Sequence, residues 1–115
     1  MTQPHRRTVL VTGGARGLGR ALCARFLRAG WNVAAMDVDA RSGTAAARTL
    51  TALGPLRFLA GDVADEAQVR DCVGETVRSF GALHAVVNNA GIADPYQGPR
   101  KRSRSSDGTA GSQST

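Results

Sequence analysis

Short apolar runs of strand length recur along the chain and are separated by longer stretches with helical periodicity. We predict strands at Thr8–Val11, Asn32–Met36, Leu56–Ala60 and Leu83–Val87. Apolar runs of this length are typical of strands that are buried on both faces of a sheet. Strands that alternate with helices pair in parallel through right-handed crossovers, with helices on both faces. The pattern therefore predicts an α/β fold.

The stretches between the strands have the spacing of amphipathic helices. We predict helices from about Gly17 to Ala29, from about Ala40 to Leu53 and from about Glu66 to Phe80. The expected buried face of the first helix is Leu18, Leu22, Phe26 and Ala29. That of the third is Val69, Val73, Val77 and Phe80, flanked by Cys72. Asp65 precedes the third helix and Gln68 follows three residues later, which is the pattern of a capping box.

A glycine-rich string, Thr12-Gly13-Gly14-Ala15-Arg16-Gly17-Leu18-Gly19, directly follows the first predicted strand. Gly13 has no side chain to obstruct a sharp turn. Gly17 opens the helix, whose free N–H groups and positive dipole end favour an anion. Gly19 lets the helix pack close to the strand. The string predicts a site at which a pyrophosphate approaches the backbone, with a merely structural turn as the alternative.

An acidic residue at a suitable distance supports the first of these interpretations. The second predicted strand ends at Asp37, whose carboxylate can accept hydrogen bonds from both ribose hydroxyls of an adenosine. An acid about 20 residues beyond the glycines is the usual group for that role. The two features together favour a dinucleotide site at the carboxyl ends of the strands.

The spacing Gly13-x-x-x-Gly17-x-Gly19, preceded by Thr12, resembles the short-chain dehydrogenase/reductase family. Two further segments carry the resemblance. Asp62-Val63 is similar to the family's adenine-contacting pair, and Asn88-Asn89-Ala90-Gly91 matches the signature that follows its fourth strand. The resemblance extends from about Arg7 to Ile92. It implies a partial Rossmann-like, doubly wound parallel sheet of about four strands in the order 3-2-1-4.

The resemblance also implies a nicotinamide dinucleotide as cofactor. The expected contacts are Gly13, Arg16, Gly17, Leu18, Gly19, Asp37, Asp62, Val63, Asn89, Ala90 and Gly91. Asp37 would repel a 2′-phosphate and favours NAD. Arg16 stands where NADP-dependent members of the family often carry a basic residue, so the two signals conflict. We expect NAD rather than NADP, because Asp37 would lie directly against the 2′-position while Arg16 could turn to solvent or to a phosphate.

The family's proton-transfer residues have no counterpart at the expected place in this sequence. The resemblance implies a serine, a tyrosine and a lysine four residues after the tyrosine, all far downstream of the Asn-Asn-Ala-Gly signature. Tyr96 and Arg100 have that spacing but lie just past the signature, so we interpret Tyr96 as a loop residue. Lys101 has no upstream partner at the right spacing. We therefore expect residues 1–94 to form a truncated cofactor-binding domain that is inactive by itself.

Residues 95–115 differ in composition from the rest of the chain. Pro95 and Pro99 are followed by the basic run Arg100-Lys101-Arg102-Ser103-Arg104 and a Gly/Ser/Thr/Gln-rich end. Such a segment cannot bury enough surface to offset its ordering entropy, so we expect a disordered tail. Without it the net charge falls from +6 to +3. One lysine against fourteen arginines is typical of a GC-rich gene, and we interpret the tail as a frameshift product, with an evolved functional segment as the alternative.

Apolar runs, cysteines and histidines restrict the cellular location and the kind of site that we expect. No apolar run approaches the roughly 20 residues that span a bilayer, and the first residues have no long apolar leader, so we expect a cytoplasmic protein without membrane contact. Cys23 and Cys72 are isolated on predicted helices and are expected to be buried thiols. His5 and His84 have no neighbours at metal-ligand spacing.

Three functions are compatible with these features. The first is the amino-terminal part of an NAD-dependent short-chain oxidoreductase, whose alcohol or ketone substrate and family-type oligomer interface would need a longer parent chain. The second is a non-catalytic nucleotide-binding module, which requires that the four strands are stable alone. The third, which we favour least, is a nucleic-acid-binding protein that acts through its basic tail and would also need basic residues on a folded face.

Overall fold

The computed structural model of the protein describes residues 6–89. Strands and helices alternate there in the order β1 (Thr8–Thr12), α1 (Gly17–Arg28), β2 (Asn32–Asp37), α2 (Ala40–Leu50), β3 (Leu56–Ala60), α3 (Glu66–Phe80) and β4 (Ala85–Val87). All pairs of neighbouring strands are parallel, and the strand order is β3-β2-β1-β4. The predicted α/β fold and the order 3-2-1-4 are confirmed. The predicted tail, residues 95–115, lies outside the described residues.

Two apolar layers enclose the central strands. α1 and α2 pack on one face of the sheet around Val9, Val11 and Val33. α3 packs on the other face around Leu10 and Met36. Because successive strand residues point to opposite faces, β1 and β2 are buried along their whole length. This burial on both faces is the physical reason for their continuous apolar runs.

The fourth strand is shorter than predicted. It begins at Ala85 instead of Leu83, and just before it the His84 side chain takes part in the pairing with β1. The N–H of Thr8 donates to His84 Nδ1 at 3.0 Å, and the N–H of His84 donates to the Thr8 carbonyl at 2.9 Å. The second helix is also shorter, ending at Leu50 instead of Leu53, where the chain continues in tighter turns.

The buried face of α1 differs from the predicted one, because each buried residue lies one position after the residue predicted to be buried. Gly19, Cys23 and Leu27 are buried, whereas Leu18 is 58% exposed and Ala29 is exposed. Gly19 and Cys23 are small, so the helix approaches the sheet on the side where its side chains are smallest. Leu22 and Phe26 lie at the border of the contact and are half-buried.

The third helix shows a smaller difference of the same kind. Cys72 and Thr76 are its buried residues, and Val77 is 41% exposed. Thr76 is accommodated because its hydroxyl donates to the Cys72 carbonyl at 2.7 Å. Both cysteines are free and buried, as predicted. Burial raises the pKa of the Cys23 thiol to about 12.

Asp65 is the N-cap of α3, as predicted. Its Oδ1 accepts hydrogen bonds from the backbone N–H groups of Ala67 at 2.9 Å and Gln68 at 3.3 Å. The return bond of the capping box differs from prediction. The Gln68 side chain donates from Nε2 to Asp65 Oδ2 at 3.0 Å, and its Oε1 accepts the N–H of Asp62 at 2.8 Å.

The cap makes the stability of α3 dependent on pH. The hydrogen bonds from the side chain and backbone of Gln68 hold the pKa of Asp65 below its ordinary value of 3.8. A lowered folded-state pKa means that this stabilisation is present above pH 3.8 and is lost as the pH falls through the folded value. We expect the difference in urea midpoint between the wild type and Asp65→Asn, an uncharged cap, to shrink below that pH. A constant difference would contradict the assignment.

Candidate functional site

The turn between β1 and α1 presents backbone N–H groups at the carboxyl ends of the strands. Gly13 and Gly17 have φ values of 66° and 55°, in the left-handed region that favours glycine. Arg16 is the N-cap of α1, but its side chain makes no capping hydrogen bond, and the first turn of the helix contains no acidic residue. The first N–H groups of α1 therefore suit an anion.

Gly19 marks the closest approach of α1 to this turn. A Cβ at Gly19 would overlap the carbonyl oxygen of Gly13 and would lie 2.7 Å from Nδ2 of Asn89. The Asn89 side chain donates from Nδ2 to the same Gly13 carbonyl at 3.1 Å. The segment after β4 is thereby tied to the glycine turn. Ala90 and Gly91, the other predicted contacts of this segment, lie outside the described residues.

The end of β4 is linked to β1 by a second contact that the sequence did not indicate. The Thr12 hydroxyl lies 3.1 Å from Asn88 Oδ1 and 3.3 Å from the Val87 carbonyl oxygen, and it can donate to either. The Thr12 hydroxyl therefore links the carboxyl ends of the neighbouring strands β1 and β4.

Asp37 lies against the glycine turn, with a carboxylate that two backbone amides hold in place. Oδ2 accepts the N–H of Ala15 at 3.1 Å, and Oδ1 accepts the N–H of Asp39 at 3.1 Å. The residue is only 8% exposed, so its carboxylate has little freedom to reorient. Because each carboxylate oxygen can accept more than one hydrogen bond, both can still accept from a ligand hydroxyl.

Asp62 and Val63 follow β3 at the same edge of the sheet. The N–H of Gly61 donates to the Asp37 carbonyl at 3.0 Å, which places this segment next to the end of β2. Asp62 Oδ1 accepts the N–H of Ala64 at 2.9 Å, and Val63 is 39% exposed.

The structure therefore brings all the predicted site residues within 6–89 to one edge, the carboxyl ends of the four parallel strands. They are Gly13, Arg16, Gly17, Leu18, Gly19, Asp37, Asp62, Val63 and Asn89.

Two residues at this edge were not predicted as part of the site. Val38, directly after Asp37, is 64% exposed. Leu18, at the start of α1, and Val63, after β3, are also exposed apolar side chains at this edge. Exposed apolar side chains at the carboxyl ends of the strands can contact a ligand. Asp39, the other residue, supplies one of the amides that hold Asp37, in the local turn that an aspartate side chain often forms with the backbone two residues later.

These residues fit a dinucleotide. The uncapped start of α1 suits a pyrophosphate, the Asp37 carboxylate suits ribose hydroxyls, and the exposed valines suit a flat apolar ring. Within residues 6–89, no three His, Cys, Asp or Glu side chains are grouped so that they could hold a metal ion. None of the three helices that the structure describes is long and apolar enough to cross a membrane.

The sequence matches the short chain dehydrogenase family over residues 7–109. The chain belongs to this family. L-fucose dehydrogenase of Bos taurus is 42% identical over 97 residues, which cover 84% of this chain and 35% of that enzyme.

Solved structures of similar proteins have the same fold. Levodione reductase matches with a TM-score of 0.70 and 36% identity over 75% of this chain and 34% of its own. A short chain dehydrogenase/reductase from Burkholderia phymatum, in complex with NAD, matches with a TM-score of 0.72 and 29% identity, covering 80% of this chain and 33% of its own. The chain thus spans about a third of the length of these relatives.

Proposed function

We propose that residues 1–94 form the dinucleotide-binding part of an oxidoreductase that interconverts alcohols and carbonyl compounds, with NAD as its cofactor. The observation that carries the proposal is the position of Asp37. Its carboxylate is fixed against the glycine turn by the N–H of Ala15 at 3.1 Å. A carboxylate in this place accepts hydrogen bonds from ribose hydroxyls and repels a 2′-phosphate. The Burkholderia relative in complex with NAD supports the choice of cofactor.

Each part of the cofactor has a counterpart among the residues of the site. The N–H groups at the start of α1 would hold the pyrophosphate, and Asp37 would hold the adenosine ribose. Val38 and Val63 would contact the adenine ring. Asn89, fixed to the Gly13 carbonyl at 3.1 Å, would border the site on the side of β4. When bound, NAD supplies the hydride acceptor, so this part of the protein has to bind and orient it.

The resemblance implies a tyrosine and a lysine for proton transfer, and residues 6–89 contain neither. The single tyrosine is Tyr96 and the single lysine is Lys101. Positioned proton transfer contributes about 10²–10⁴-fold to rate. We therefore propose that this part binds the cofactor without turning over an alcohol by itself. A substrate and an oligomer interface would belong to a longer parent protein.

The two thiols support a reducing location such as the cytoplasm. Cys23 on α1 and Cys72 on α3 are free and buried on opposite faces of the sheet. Buried free thiols are typical of proteins kept in reducing compartments.

The experiment combines binding with turnover on the 115-residue chain. We expect saturable binding of NAD in titration calorimetry, and no formation of NADH with a panel of secondary alcohols. Absence of NAD binding would overturn the proposed site. Turnover that Tyr96→Phe abolishes would show instead that Tyr96 supplies the proton, and that the chain is an active enzyme.

A further inference from the structure

Gln68 connects the first turn of α3 to the loop that follows β3. Its Oε1 accepts the N–H of Asp62 at 2.8 Å, and its Nε2 donates to Asp65 Oδ2 at 3.0 Å. The two partners determine the orientation of the amide, because a backbone N–H requires an acceptor and a carboxylate requires a donor. A glutamate at this position would offer no donor, and a lysine would offer no acceptor.

The loop that Gln68 contacts is a tight turn with hydrogen bonds of its own. The N–H of Asp65 donates to the Asp62 carbonyl at 3.0 Å, and Asp62 Oδ1 accepts the N–H of Ala64 at 2.9 Å. The contact with Gln68 adds the N–H of Asp62 to these bonds. Both backbone groups and one carboxylate oxygen of Asp62 are thereby engaged, which restricts the turn to one conformation.

This turn lies at the edge where we propose that the dinucleotide binds. The N–H of Gly61, directly before it, donates to the Asp37 carbonyl at 3.0 Å. Val63, within the turn, is 39% exposed. Among the hydrogen bonds of residues 6–89, the Asp62 carboxylate uses only Oδ1, so Oδ2 can accept from a ligand. An exposed apolar side chain next to such an oxygen suits the ring and the amino group of an adenine.

The other end of the Gln68 amide is anchored on the helix. Asp65, the N-cap of α3, accepts the backbone N–H groups of Ala67 and Gln68 on Oδ1. The hydrogen bonds from Gln68 hold the pKa of Asp65 below its ordinary value, so its carboxylate is ionised at neutral pH. The bond from Gln68 Nε2 is therefore charge-assisted, and such bonds are stronger than those between neutral groups.

We infer that Gln68 is a positioning residue of the adenine site, which holds the turn of Asp62 and Val63 in the conformation that the base requires. The inference rests on the proposed function, in which this edge binds NAD. Gln68 acts through the N–H of Asp62 and not through a contact with the nucleotide. Without its side chain the turn loses its attachment to α3, so the ligand would have to order the turn on binding, which lowers affinity.

The test compares NAD with nicotinamide hypoxanthine dinucleotide, which differs from NAD only in the base. We expect the wild type to bind NAD more tightly, because the hypoxanthine ring lacks the amino group that can donate to Asp62. Gln68→Met has a similar length and removes both hydrogen bonds. We expect it to weaken NAD binding roughly 3- to 10-fold and to reduce the preference for NAD over the analogue. A loss of helix stability alone would weaken both ligands equally.

A reversed pair of side chains provides the rescue. Gln68→Glu keeps an acceptor for the Asp62 N–H but places two carboxylates side by side, so we expect weaker NAD binding. The double variant Asp65→Asn/Gln68→Glu exchanges the amide and the carboxylate at unchanged net charge, and asparagine remains a good N-cap. We expect it to restore NAD affinity to within about twofold of the wild type. If Gln68→Met does not fold, this comparison decides, because the double variant retains both hydrogen bonds.

Ser79→Met is the matched control, since Ser79 is an exposed, uncharged residue near the end of α3 whose hydroxyl lies 3.4 Å from Glu75 Oε2 in the same helix. It is expected to leave both affinities unchanged. An unchanged NAD affinity in Gln68→Met, an equal loss for both dinucleotides, or no restoration in the double variant would overturn the inference while the proposed function stands. If the wild type binds neither dinucleotide, the proposed function fails and the inference falls with it.

Discussion

Gly19→Ala is expected to abolish nucleotide binding and to destabilise the fold. The new Cβ would overlap the Gly13 carbonyl oxygen and lie 2.7 Å from Asn89 Nδ2. A backbone carbonyl cannot swing aside as a flexible side chain can, so α1 or the turn has to move. Overpacking of this kind costs about 1–3 kcal/mol. Either movement displaces the N–H groups at the start of α1 that would hold the pyrophosphate. Urea unfolding and NAD titration measure the two effects.

Gly74→Ala is the matched control for this substitution. Gly74 lies within α3, where a Cβ would meet only the Arg78 side chain, with Nη1 at 3.9 Å. Alanine in a helix interior is more favourable than glycine by about 0.5–1 kcal/mol. We expect Gly74→Ala to stabilise the protein and to leave NAD binding unchanged. If Gly19→Ala bound NAD as the wild type does, the close approach of α1 to the turn would be wrong.

Asp37→Ala is expected to have the second largest effect. It removes the acceptor for the N–H groups of Ala15 and Asp39. Leaving buried donors without partners costs about 1–3 kcal/mol. The variant also loses the hydrogen bonds to the ribose, and bonds to a charged group contribute about 1.5–3 kcal/mol. We therefore expect NAD affinity to fall roughly 10- to 100-fold in a titration at fixed salt.

Asp71→Ala is the control, because Asp71 is an exposed aspartate on α3 and is not among the site residues. Removing it is expected to change the free energy of unfolding by no more than about 0.5 kcal/mol and to leave NAD binding unchanged. If Asp37→Ala kept its affinity for NAD while Asp71→Ala lost it, the carboxylate at the end of β2 would not be the ribose ligand.

Much of the fold could be predicted because burial leaves a strong local pattern. β1 and β2 are covered on both faces, so their residues are almost continuously apolar. The strand order came from the resemblance, since no local pattern contains it. The close approach of α1 at Gly19 could be predicted from the glycine, but the apolar periodicity of the helix favours its large side chains and predicts the wrong buried face. Gly19 and Cys23 face the sheet because they are small, whereas Leu18 is exposed at the start of the helix.

The site could be predicted at the positions where the chemistry restricts the residue type. Gly13 and Gly17 need left-handed backbone, and Asp37 needs a carboxylate at the end of a strand. The contacts that position these residues depend on tertiary structure. The hydrogen bond from the Ala15 N–H to Asp37 and that from the Asn89 side chain to the Gly13 carbonyl join residues far apart in the sequence, so the spacing of residues does not predict them.

The most direct test of the central claim, that the glycine turn and Asp37 form an NAD site, is a titration of NAD into the isotope-labelled chain. Backbone amide signals are followed by nuclear magnetic resonance. We predict saturable shifts for the amides of Gly13, Ala15, Gly17 and Asp39, and unchanged signals for Gly74 and Arg78 on α3. Unchanged signals in the turn at saturating NAD, or shifts confined to α3, would contradict the account.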